Sequence, residues 1–167
     1  MVLGMSLATF TLVHVIISLI GIVSGSLVLF GLLGSSRMPA MTAIFLLTTI
    51  LTNATGFLFP FEGFKPSYVI AALSLVLLAI ACIALYALKL RGAWRWIYVL
   101  TAMISLYLNI FVLVIQSFLK IPFLHALAPS VPPSEPPFAA VQGLVLLFFV
   151  LVIIGGIRRF RPPATFA

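Results

Sequence analysis

Residues 91–120 read RGAWRWIYVLTAMISLYLNIFVLVIQSFLK. Bases stand at both ends, as Arg91, Arg95 and Lys120, and no charged side chain interrupts residues 96–119. At 1.5 Å rise per residue such a helix is about 36 Å long, enough to cross a hydrocarbon core of about 30 Å. At 100° per residue Tyr98, Thr101, Ser105, Asn109 and Gln116 fall within about 80° of one another. None of these is charged, so the stretch reads as a transmembrane helix with a polar stripe turned toward neighbouring helices.

Working outward, four more apolar stretches of comparable length are found at about residues 8–33, 39–60, 67–89 and 138–157, with the quoted one at 96–119. The whole chain of 167 residues is 64% hydrophobic and only 7% charged, too little polar surface to coat a soluble fold. The expected fold is therefore an all-α membrane protein, a single transmembrane domain over residues 1–167 with five crossing helices. The first stretch lacks a basic segment before it and exceeds a signal-peptide core of about 7–15 residues, so it reads as a retained helix. All eleven prolines lie at or beyond the ends of the five stretches, which predicts helices without proline kinks.

Counting bases on alternate sides orients the bundle. Arg37, Lys89, Arg91, Arg95, Arg158, Arg159 and Arg161 fall on one side, and Lys65 and Lys120 on the other with both acids, Glu62 and Glu135. Seven against two places the first side in the cytoplasm, with the N-terminus outside and the C-terminus inside. Trp94, Trp96 and Tyr98 then form an inner interfacial belt, and Phe59, Phe61, Phe64 and Tyr68 an outer one. The net charge of +7 is accounted for by this bias and does not imply nucleic acid. The outer loop at 120–137 holds five prolines between Pro129 and Pro137 and reads as a linker, or as a stiff strap over the outer helix ends.

Polar residues inside the helices carry what functional signal there is, since lipid cannot hydrogen-bond them. His14, Ser18, Gly21 and Gly25 share one face of the first helix within about 60°. Gly21 and Gly25 form a GxxxG pair suited to close helix packing. The second helix carries Thr42, Thr49, Asn53 and Gly56 on one face, with Thr48, Thr52 and Thr55 alongside. Asn53-Ala54-Thr55 matches a glycosylation sequon but falls inside a membrane helix, out of a transferase's reach. Depth along the helices predicts one outer polar layer of His14, Asn53, Gln116 and Gln142, with Asn109 nearer the midplane. His14, Ser18, Asn53, Asn109, Gln116 and Gln142 are thus the candidate pocket, read against plain interhelical hydrogen bonding.

No Asp, Glu, Lys or Arg lies inside any of the five helices, Lys89 standing only at an end, which argues against proton relays, voltage sensing and ion-coupled transport. Cys82 is the only cysteine, so an internal disulfide and cysteine-rich metal sites are excluded. A haem or metal site would have to use His14 and His125, with Glu62 or Glu135 nearby. His14 with Ser18 has no carboxylate fixed beside it, so nucleophilic catalysis is poorly supported. The leading expectation is a non-enzymatic accessory or structural subunit, without cofactor, packing on a membrane-protein partner or on itself. Two alternatives are a haem or metal protein using His14, and a small transporter or lipid-ligand protein with an outward polar pocket.

Three stretches, FLLTTILTNATGFLFPF at 45–61, WRWIYVLTAMISLYLNIFVLVIQSF at 94–118 and LAPSVPPSEPPF at 127–138, resemble an uncharacterised family of small multi-pass inner-membrane proteins of proteobacteria. The resemblance implies a bacterial cytoplasmic membrane and supplies no activity. In that family histidine often stands where this chain has Glu62 and Tyr68, which implies that a histidine-based outer site is depleted here.

Overall fold

Proline and serine set where the helices begin. The computed structural model describes residues 2–60 and 66–162. Helix α1 spans Leu7–Leu33 and is capped by Ser6, whose hydroxyl accepts from the Thr9 amide at 3.1 Å. Helices α2 (Pro39–Gly56), α3 (Pro66–Cys82), α5 (Pro122–Leu127) and α6 (Pro136–Arg159) each open on proline, where the missing N–H has no helical partner to lose. Helix α4 spans Trp94–Lys120. The described residues are mainly helical, with no strand among them.

Among the described residues four helices are long and apolar enough to cross a membrane: Leu7–Leu33, Pro66–Ala87, Trp94–Lys120 and Pro136–Arg159. Helix α2, 18 residues long, is less apolar because it holds five threonines and Asn53. It also ends at Gly56, earlier than expected, and the chain continues through a turn to Phe59. Many large apolar side chains remain exposed, among them Leu12, Val23 and Phe30 on α1 and Leu144, Leu147 and Leu151 on α6. In water that surface would drive aggregation; against lipid chains it costs nothing.

Helices α1 and α2 form the most extensive pairing, an antiparallel hairpin whose register holds along its length. Met38 closes on Gly31, Phe45 on Gly25, Thr49 on Gly21, Thr55 on His14 and Phe59 on Phe10. Across α2 and α3, Asn53 meets Ser74 and Phe57 stacks on Tyr68. Helix α4 is central, packed by α1, α2, α3, α5 and α6. It runs antiparallel to α6, with Val99 against Gly156, Tyr107 against Phe149, and Phe118 edge-on to Phe138. The core between them holds Phe45, Leu78, Val99, Met103 and Leu106, all fully buried.

The C-terminal ends of α1 and α6 meet, since Leu33 abuts Gly155 and the Arg161 amide donates to Ser35 Oγ at 2.9 Å. Because α1 is about 40 Å long at 1.5 Å per residue, its Leu7 end lies at the far end of the bundle from Arg159.

Two local features depart from the sequence expectation. The third helix changes to a π-helical turn at Ile83–Ala87, where Leu88 N reaches Ile83 O at 2.9 Å. Lys89 and Leu90 then take left-handed φ values of 52° and 59°. The loop at 120–137 is neither a plain linker nor an extended strap: it holds the short α5 and a compact turn. There Glu135 Oε1 accepts from the amide and hydroxyl of Ser130, and Oε2 accepts from the Ser134 amide at 3.0 Å. These bonds hold the Glu135 carboxyl down to about 2, the Ser130 hydroxyl contributing most. Phe61, Glu62, Phe64 and Lys65 lie outside the described residues.

Candidate functional site

The first-helix stripe faces inward because its two glycines let α2 and α4 approach. A Cβ on Gly25 would stand 2.7 Å from carbons of both Leu106 and Phe45, and one on Gly21 would stand 3.0 Å from Thr49 Oγ1. That approach brings His14 and Ser18 onto the polar faces of α2 and α4. His14 Nδ1 lies 2.8 Å from Thr55 Oγ1, and its ring sits edge-on to Phe59. The Thr55 hydroxyl also reaches Leu51 O at 2.7 Å. With its hydroxyl hydrogen on Leu51 O, Thr55 is free to accept from a His14 tautomer protonated on Nδ1; with the hydrogen turned to Nδ1, it donates to the other tautomer.

One turn along, Ser18 donates to Asn109 Oδ1 at 3.1 Å. Asn53 Nδ2 donates to Thr49 O at 2.7 Å and to Ser74 Oγ at 3.1 Å. His14, Ser18, Asn53 and Asn109 line one cavity of about 110 Å³, floored by Ala71, Leu108 and Val112. Asn109 Nδ2 is buried in this region without a partner among the described residues. The cavity has room for a few water molecules or a very small polar ligand.

The expected single layer is not what forms. Gln142 is buried but bonds elsewhere, its Nε2 donating to Phe111 O of α4 at 3.1 Å. Gln116 is exposed. Helical phasing puts it on the Asn109 stripe, yet near the end of α4 the partner is the start of α6, and Phe118 turns inward to meet Phe138. Thr101 and Ser105 spend their hydroxyls on their own helix, bonding Ile97 O at 2.8 Å and Thr101 O at 2.9 Å.

His14 and His125 do not share a partner. His14 is held by α2, whereas His125 sits on α5, which packs against α4. Among the described residues no group of three or more His, Cys, Asp or Glu gathers. The partner that sequence reasoning left unassigned is Thr55, which orients His14; its position in the sequon drew notice for the wrong chemistry. Ser74 was not among the candidate residues, and the Phe111 carbonyl has no side-chain signature at all.

Compared with known protein families, with curated proteins and with solved structures, the chain matches none significantly. Chemically, the cavity offers amide and hydroxyl groups and one imidazole. Among the described residues its lining holds no acid to orient a base and no second imidazole, thiol or carboxylate to ligate a metal.

Proposed function

We propose that the chain is a five-crossing protein of a bacterial cytoplasmic membrane, N-terminus outside and C-terminus inside, acting as a non-enzymatic accessory or structural subunit. The observation that carries this reading is how the inward polar groups are used. His14 with Thr55, Ser18 with Asn109, Asn53 with Ser74, and Gln142 with the Phe111 carbonyl join one helix to the next. In membranes such bonds contribute about 0.6 kcal/mol each, so they fix the arrangement of helices more than they strengthen it.

Five crossings are favoured by the hairpin register. Helix α2 with its turn runs beside α1 from Gly31 to Phe10, so whatever depth α1 traverses, α2 traverses too. The meeting of the α1 and α6 C-terminal ends agrees with an odd number of crossings. The positive-inside bias supports the orientation, and the resemblance of three stretches supports the bacterial membrane.

A partner is accommodated most readily on α6, which packs chiefly against α4 and α1 and leaves most of its surface exposed. The glycine pair of α1 is already used within the bundle, so it does not serve a partner. Extraction in mild detergent followed by crosslinking and an optical spectrum tests the reading. A larger complex without a Soret band or bound metal is expected. Recovery of monomer alone removes the subunit role, and a Soret band or bound metal replaces it with a histidine site at His14.

A further inference from the structure

A second cavity is larger than the polar one. It is a cleft of about 440 Å³ at the basic end of the bundle, built where the α1–α2 turn, the end of the third helix, the start of α4 and the C-terminal segment converge. Its apolar floor includes Val28, Leu32, Leu85 and Tyr98, and its cations are Arg37, Lys89, Arg91 and Arg95. These four bases come from two regions far apart in sequence, Arg37 from the α1–α2 turn and the others from residues 89–95, and the described lining carries no acidic side chain. The chain has only two acids; Glu135 is engaged in the loop at the other end, and Glu62 stands in sequence between α2 and α3.

We infer that this cleft binds one anionic glycerophospholipid, the phosphate held by Arg37 and Lys89 and the upper acyl region laid on the Val28–Leu32–Leu85 floor. Arg37 and Lys89, brought side by side from distant parts of the chain with no acidic side chain in the described lining, repel one another and favour an anion. The floor distinguishes an amphiphile from a soluble anion, because Val28 lies five residues inside α1 from Leu33, about 8 Å into the apolar zone. Tyr86 lines the cleft and is 51% exposed, so the floor continues onto the outer apolar surface of the third helix. Basic pockets between helices near a membrane surface are the setting in which lipid headgroups are held.

The backbone is bent toward the same purpose. The π-helical turn and the left-handed Lys89 and Leu90 swing the chain back so that Lys89 and Arg91 both line the cleft. Left-handed backbone at non-glycine residues is unfavourable and clusters at ligand clamps. Arg95 is engaged differently, donating to the carbonyls of Ile157 and Phe160, and so holds the C-terminal wall in place.

Native mass spectrometry of the full-length protein in neutral detergent tests the inference, using phosphatidylglycerol and phosphatidylcholine with the same acyl chains. Phosphatidylglycerol is expected to bind at least about tenfold more tightly. Arg37→Gln or Lys89→Gln should weaken it about fivefold each, and the double variant about thirtyfold. The charge-keeping pair Arg37→Lys with Lys89→Arg should bind as the native chain does. Leu85→Trp, which fills the floor and leaves every charge, should also weaken binding; it carries the test if the double variant does not fold. Equal affinity for the two lipids, unchanged binding in the variants, or displacement of the lipid by millimolar inorganic phosphate would each overturn the inference, the last by showing a free-anion site.

Discussion

Gly25 is the most closely packed of the described glycines, where a single added carbon would meet side chains of two other helices at once. Gly25→Ala forces both Leu106 and Phe45 to move and should destabilise by about 1–3 kcal/mol, the usual range for overpacking. Gly21→Ala should cost less, because its nearest atom is a threonine hydroxyl rather than two core carbons. Unfolding in mixed detergent measures both, and Gly21→Ala proving the costlier variant would contradict this ranking. At this scale the sequence was informative wherever packing follows helical phase. The spacing of His14, Ser18, Gly21 and Gly25 marks one face, and these residues do turn toward α2 and α4. Phase failed at Gln116 because it says which residues share a face, not which neighbour that face meets; two residues later Phe118 takes the buried place.

Among the elements, the third helix and the 128–135 turn hold the local surprises. Nothing in the residues Ile83–Ala87 announces a π turn, since neither glycine nor proline occurs there, and the left-handed Lys89 and Leu90 precede the only glycine nearby, Gly92. The geometry follows from docking the third helix onto α4 while returning the chain to Trp94 in a few residues. Lys89→Gly removes the penalty for a left-handed side chain at an exposed site and should stabilise by about 1 kcal/mol. The same variant should lose phosphatidylglycerol, so stability and lipid retention move in opposite directions; a fall in stability would contradict the strain argument.

The turn before α6 makes a pH prediction. The Glu135 carboxyl is lowered from 4.5 to about 2, so its bonds to Ser130 and Ser134 favour the folded loop at higher pH. That contribution is present above about 4.5 and is lost as pH falls through about 2. With only two acids in the chain, carboxyl-labelled glutamate gives two NMR signals, and Glu62→Gln assigns them. Ser130→Ala should bring the Glu135 titration back toward the ordinary range; an unchanged titration would show that the hydroxyl does not hold it down. The proline spacing here marked a loop but could not show that a carboxylate closes it.

For the molecule as a whole, apolar run length and the positions of the bases were legible before any coordinates. Arg37, Lys89, Arg91 and Arg95, counted on one side of the bundle in the sequence, line one cleft. What the sequence could not show is the cleft itself, because its walls come from four segments and no single stretch carries its signature. The central claim is that α2 crosses the membrane beside α1, and accessibility of single cysteines tests it most directly. In a Cys82→Ser background, Ser36→Cys, Gly63→Cys and Ser134→Cys are each labelled on intact cells with a membrane-impermeant maleimide. The account predicts labelling at 63 and 134 from outside, and at 36 only after the membrane is opened. Residues 36 and 63 reacting from the same side would contradict it.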